Sequence, residues 1–258
     1  MHLRRIVRSL QIRRRVLFLW IGVYHMKFGN PFAALNKNEY LLWIASMLVI
    51  IGSAVLFPHP DFLSVCASLI GVTALIFVSK GHPFGQFLTI VFAVFYGIIS
   101  FAVRYYGEMI TYLCMTAPMA LLALVTWLRH PFQDAKEVAV NHIGKRGIGL
   151  LMFATGIVTA VFYVILKKLG NASLNVSTIS IATSFLASAL TALRSPCYAL
   201  AYAANDVVLI VLWLTVSLHD TAAVPMVACF AMFLVNDLYG FLNWKRMERR
   251  QSQHTENA

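Results

Sequence analysis

AYAANDVVLIVLW (residues 201–213) and CFAMFLVNDLYGFLNW (residues 229–244) are neighbouring hydrophobic runs with the same dipeptide in their middles. Asn205–Asp206 and Asn236–Asp237 are the only Asn–Asp pairs in the chain. Each lies roughly eight or nine residues from the basic end of its run. At about 1.5 Å per helical residue that is ~12–14 Å, close to the midplane of a hydrocarbon slab ~30 Å thick. A carboxylate at that depth costs about 2.5–3.5 kcal/mol on insertion scales, so a membrane protein rarely keeps two without a use for them. The rest of the chain reads as the frame around these four residues.

Composition supports that frame. Of the 258 residues, 60% are apolar and 12% charged, with a mean hydropathy of +0.74. So little charge suffices only where lipid is the solvent. Eight runs of spanning length follow one another: 40–57, 62–79, 84–103, 107–128, 147–166, 177–194, 197–218 and 222–244. Turn chemistry separates them, as in Pro58-His59-Pro60, Gly81-His82-Pro83 and Ser195-Pro196. Joining one short-looped pair would give seven helices instead.

The net charge of +11 suggests nucleic acid until it is placed along the chain, where it becomes a topology signal. With the N-terminus inside, eighteen Lys and Arg fall on cytoplasmic segments and only Arg104, Lys167 and Lys168 outside. That asymmetry predicts a multi-pass protein of the bacterial plasma membrane with both termini cytoplasmic, and no nucleic-acid partner. Residues 1–39 read as a basic cytoplasmic or interfacial arm. Its apolar run 16–24 is too short to span; a signal peptide and a start at Met26 are the alternatives. The membrane-spanning region covers 40–250, and 245–258 is a cytoplasmic tail.

Spacing suggests an internal repeat. Residues 62–128 and 177–244 are each three segments long and end in Trp before a basic border (Trp127, Trp244), with 147–166 between them. An odd number of crossings makes the two units parallel, and parallel repeats place a substrate site between the halves.

Several chemistries are excluded. There is no GxxxxGK[ST] loop for ATP. Cys66, Cys114, Cys197 and Cys229 have no CxxC spacing, and the eight His form no HExxH motif, so no metal and no cofactor is expected. Asn171-Ala172-Ser173 and Asn175-Val176-Ser177 match the glycosylation pattern by accident of composition. Polar residues inside the runs are the remaining candidates. Gln86, Thr89, Tyr96 and Ser100 stripe one run; Thr178, Ser180, Thr183, Ser184, Ser188 and Thr191 stripe another. Arg104, Tyr105, Glu108 and Tyr112 share a broad helical face and read either as an outer gate or as a headgroup belt with an Arg–Glu pair.

Three stretches carry a family resemblance: FGQFLTIVFAVFYGIISFAVRYYGEMITYLCMTAPMALLALVTWL (84–128), SFLASALTALRSPCYALAYAANDVVLIVLW (184–213) and FLVNDLYGFLNWKR (233–246). Together they resemble the PnuC family of nicotinamide riboside transporters over about residues 40–250. The resemblance implies an all-α integral membrane protein of eight helices. Its core is a SWEET-like 3+1+3 arrangement, with one further N-terminal helix, assembled as a homotrimer. It implies facilitated diffusion of nicotinamide riboside, trapped inside by a cytoplasmic kinase. It places Asn205 at the family's binding Asn, Tyr198 at an aromatic seven residues earlier, and Thr183 at a usual Ser. Ala201 stands where the family carries a second Trp, a departure that Tyr202 or Trp213 could fill. A flat pyridinium cation on a ribose wants aromatic faces (Tyr96, Tyr198, Tyr202, Trp213), amides (Asn205, Asn236) and a carboxylate (Asp206 or Asp237). Thiamine, riboflavin or a deoxynucleoside on the same fold remain open. So does an intramembrane enzyme using Asp206 and Asp237 as an acid pair.

Overall fold

The computed structural model describes residues 31–57, 62–133, 137–171 and 173–256. The arm at 1–30, with the 16–24 run and Met26, lies outside them. Eight helices among the described residues are long and apolar enough to cross a membrane: α1 Lys37–Leu56, α2 Phe62–Ser79, α3 Pro83–Ala102, α4 Tyr106–Arg129, α5 Lys145–Lys168, α6 Leu174–Ala192, α7 Tyr198–Ser217 and α8 Val224–Glu256. No extended strand occurs among the described residues; Pro131 and Val138 make one isolated bridge. The expected runs and the observed helices differ by only a few residues, except at the end. There α8 continues to Glu256, so most of the expected tail is helix.

Six helices close into a ring in which each packs on the next: α2 on α3, α3 on α4, α4 on α6, α6 on α7, α7 on α8, and α8 back on α2. Helices α1 and α5 sit outside, α1 against α2 and α8, and α5 chiefly against α6. Helix α5 is the least buried of the eight, as its uninterrupted apolar surface allows in lipid. In the ring, small residues let the backbones approach. At Gly85 of α3 an added Cβ would lie 2.5 Å from the Val78 amide nitrogen of α2.

Four helix ends close with the same left-handed cap, each with paired backbone bonds to the preceding turn. Gly81 and Gly170 occupy it after α2 and α5, as a turn signal predicts; Arg104 and Arg194 occupy it after α3 and α6, where side chains normally avoid positive φ. At the start of α1, Asn36 and Glu39 form a reciprocal capping box. Glu39 is fully buried. Besides the Asn36 N–H it takes the Tyr239 hydroxyl of α8 at 3.0 Å and the Lys80 ammonium at 3.3 Å, which ties α1 to the basic ends of α2 and α8.

Helix α4 holds a π-turn over Thr111–Thr116, where the Ala117 N–H reaches back to Tyr112 O. Pro118 follows at once and has no N–H to continue the ordinary ladder. At the other end of the bundle, Asn171 is buried. It accepts the Gly107 N–H at 3.1 Å and donates to Ser177 Oγ at 3.0 Å, joining α4 to α6. Its sequon match therefore lies on a structural joint.

Candidate functional site

A cavity lies inside the ring. Its wall takes Gly71, Ala74, Leu75 and Val78 from α2, Gln86, Thr89 and Phe92 from α3, and Tyr112 and Thr116 from α4. Helix α7 adds Tyr202, Asn205 and Asp206, and α8 adds Phe233 and Asp237. Five helices thus contribute, and the π-turn brings both Tyr112 and Thr116 to the wall from within one stretch of six residues.

Asn205 is the most elaborately held of these. Its Oδ1 accepts from the Thr183 hydroxyl at 2.8 Å and the Ser184 hydroxyl at 3.0 Å, with Ser180 Oγ a further 3.3 Å away. The hydroxyl stripe of α6 therefore faces α7 and grips one carbonyl. This leaves the Asn205 N–H₂ as the part available to a ligand. Ser180 Oγ also lies 3.2 Å from Glu108 Oε2, which links α4 through α6 to Asn205.

Asp206 and Asp237 come together across the α7–α8 contact, close enough to interact directly, and both line the cavity. Asp206 Oδ2 is buried with no protein partner among the described residues. Among the described residues, no Lys, Arg or His lines the cavity. Phe92, Tyr112, Tyr202 and Phe233 supply aromatic surface beside the two carboxyls. The arrangement can bind a flat cation and hydrogen-bond its polar groups, and its described residues offer no cationic clamp for an anion.

The remaining candidates divide by position. Tyr96 and Trp213 lie behind the wall, the indole donating to the Tyr96 hydroxyl at 2.7 Å, and Tyr96 packs 4.2 Å from the Tyr112 ring. Tyr198 lies one turn below Tyr202, at 6.2 Å between rings, and packs on Trp244 instead of lining the cavity. Asn236 turns the other way and donates to Ser46 Oγ of α1 at 3.0 Å and to Met232 O at 2.7 Å. The symmetry suggested by the two Asn–Asp pairs thus breaks: both members of the α7 pair line the cavity, whereas the rotation of α8 about its axis brings Asp237 to the wall and turns Asn236 to α1.

The proposed outer cluster also separates. Arg104 is exposed at its left-handed cap, whereas Glu108 is fully buried and lies beside Ser180, so the expected Arg–Glu pair does not form. Tyr105 packs edge-on to Trp213, its hydroxyl 3.4 Å from Thr215 Oγ1, and Tyr112 belongs to the cavity wall. Gln86 and Thr89, noted in sequence only as a stripe, and Thr116 join the wall as well. For Thr116 the signal was Pro118, which forecasts a break in the helical register but not its direction.

A family model described as nicotinamide mononucleotide transporter matches residues 61–246. The chain is similar to the nicotinamide riboside transporter PnuC of Neisseria mucosa, 23% identical over 216 residues that make up 82% of each protein. It is similar to the protein of the same name from Haemophilus influenzae, 22% identical over 216 residues, covering 83% of this chain and 92% of that one. Its fold is similar to the crystal structure of the vitamin B3 transporter PnuC, with a TM-score of 0.75 and 22% identity over 84% of this chain and 94% of that one.

Proposed function

The chain belongs to the nicotinamide mononucleotide transporter family, and from that premise we propose that this membrane transporter carries nicotinamide riboside into the cell. The observation that supports the substrate is the cavity wall: two adjacent carboxyls, one clamped amide, four aromatic rings and, among the described residues, no basic side chain. A pyridinium cation gains from the carboxyls and rings, while the ribose hydroxyls suit the Asn205 amide. A phosphate on the same molecule would meet Asp206 and Asp237 with no described basic residue to offset it, so the nucleoside fits better than its mononucleotide.

Transport in this proposal is facilitated diffusion, drawn inward by a cytoplasmic kinase that phosphorylates the riboside and so makes it unable to return. The moving parts are two parallel three-helix units, α2–α4 and α6–α8, in a SWEET-like 3+1+3 core with α5 as the link and α1 as an addition. The basic ends of the helices face the cytoplasm, and the protein works as a homotrimer.

The test is thermal stabilisation of the detergent-purified protein by nicotinamide riboside, its mononucleotide, thiamine, riboflavin and deoxynucleosides. Nicotinamide riboside is expected to raise the melting temperature and the mononucleotide to leave it unchanged. A shift with another vitamin instead would move the substrate, and no shift from any of them in folded protein would sink the proposal.

A further inference from the structure

Two indole N–H groups cross between the halves of the ring in a matched way. Trp127, at the end of α4, donates from Nε1 to Thr191 O at the end of α6, 3.0 Å away. Trp244, on α8, donates from Nε1 to Val78 O at the end of α2, 2.9 Å away. Both indoles are buried, at 1% and 0% exposure, although each stands beside a basic border in sequence.

The carbonyls they reach are equivalent. Val78 O also accepts the Gly81 N–H at 2.9 Å, and Thr191 O the Arg194 N–H at 3.0 Å, each inside a left-handed cap with φ near 65° and 61°. The segment between α4 and α5 completes the pairing. Its Val138 N–H donates to Gly81 O and its Asn141 N–H to Arg194 O, both at 3.0 Å. These indole, turn and linker bonds therefore correspond between the two halves, while Asn243 Nδ2 adds a bond to Ser79 O at 2.8 Å on the α2–α8 seam.

These groups lie at the basic end of the cavity. Val78 lines the wall and carries one of the carbonyls. Below the wall residue Tyr202 comes Tyr198, whose ring packs edge-on to Trp244 at 5.0 Å, and Trp244 packs on Trp127 at 5.4 Å. Three rings thus form a layer between the cavity and the turns at Gly81 and Arg194.

We propose that Trp127 and Trp244 are the gate at the basic end of this transporter, a latch whose two indole–carbonyl bonds hold the three-helix units together and break when that end opens. The proposal rests on the reading of α2–α4 and α6–α8 as units that move against each other. The chemistry suits a reversible closure. Each carbonyl has two lone pairs and keeps its turn N–H when the indole leaves, so no backbone group is stranded, and the freed indole N–H meets the water that enters.

The test uses Trp127→Phe and Trp244→Phe, which keep the ring and remove the donor. Ala74, on the cavity wall, is replaced by Cys as a reporter in protein whose four native cysteines are Ala. A membrane-impermeant thiol reagent is applied from each side of the membrane separately. Exposed Cys197, three residues beyond Arg194, is kept in a companion variant to mark which side is the basic end. Melting temperatures confirm that each variant is folded.

From the basic side, each Phe variant is expected to raise the labelling rate about fivefold, as loss of one net hydrogen bond would, with the double variant higher still and the opposite side unchanged. Acceleration on the Cys197 side supports the latch whichever way the protein is oriented, so an error in membrane orientation is told apart from an error in the gate. Equal rates in parent and both folded variants, or acceleration from the opposite side, would overturn it. If substrate binding is lost in the thermal-shift test while labelling still rises, the gate stands and the substrate assignment fails.

Discussion

Asn205 shows how one side chain is turned from a generic polar residue into a directional one. Thr183 and Ser184 occupy its carbonyl, so what remains for a ligand is a donor. Asn205→Ala is expected to leave a folded protein that binds nicotinamide riboside about tenfold to a hundredfold more weakly, read by titration calorimetry. Ser184→Ala loosens the grip without removing the donor and is expected to weaken binding only about threefold. Asp206 has a buried oxygen without a partner among the described residues, so Asp206→Asn is expected to weaken a cationic ligand while improving the protein's tolerance of low-charge analogues. Equal affinity in parent and Asp206→Asn protein would remove the carboxyl from the site. Asn205 and Asp206 were legible from depth alone. The loss of Asn236 from the cavity was not, because the sequence does not set the rotation of α8 about its axis.

Among the elements, the ends and breaks of helices matter more than their lengths. The Pro118 ring and the π-turn before it re-aim Tyr112 and Thr116 into one cavity. Gly85 is required by closeness: a Cβ there would sit 2.5 Å from a backbone nitrogen of the neighbouring helix, which cannot rotate away. Gly85→Ala is expected to cost roughly 1–3 kcal/mol by forcing α2 and α3 apart, seen as a melting temperature lower by several degrees. Gly156 on the outward α5 has nothing within 4 Å of the same position. Gly156→Ala is therefore expected to be neutral or slightly stabilising in the same assay, and equal losses at both sites would refute the packing argument. Apolar length located all eight spans to within a few residues, apart from the extension of α8, because burial of backbone in lipid demands helix. The left-handed caps at Arg104 and Arg194 carry no sequence signal, since Arg does not favour positive φ and only the surrounding turn imposes it.

At the scale of the whole molecule, six helices form a ring in which α2 meets α8 and α4 meets α6, so the two halves are joined at both seams. The proposed facilitated diffusion makes a specific demand on energetics. Uptake of nicotinamide riboside by cells holding ample ATP for trapping is expected to survive a protonophore with less than a twofold change in initial rate. A collapse of the rate with ATP maintained would favour proton coupling through Asp206 and Asp237 over facilitated diffusion.

Hydropathy and motifs alone were enough to read the apolar spans, the family and the place of each Asn–Asp pair along its helix. These follow from hydropathy, from rise per residue and from motifs, all of which are local or additive along the chain. Which polar residues share a cavity became visible in the folded bundle alone. Asp206 joined Asp237, Glu108 left Arg104 for Ser180, Asn236 turned to α1, and Trp127 and Trp244 became buried cross-links at a border. Each outcome depends on how a helix is rotated and which neighbour it meets. Packing between distant segments fixes those, and in lipid nearly any rotation satisfies the backbone equally well, so the side-chain contacts across the ring are what select one.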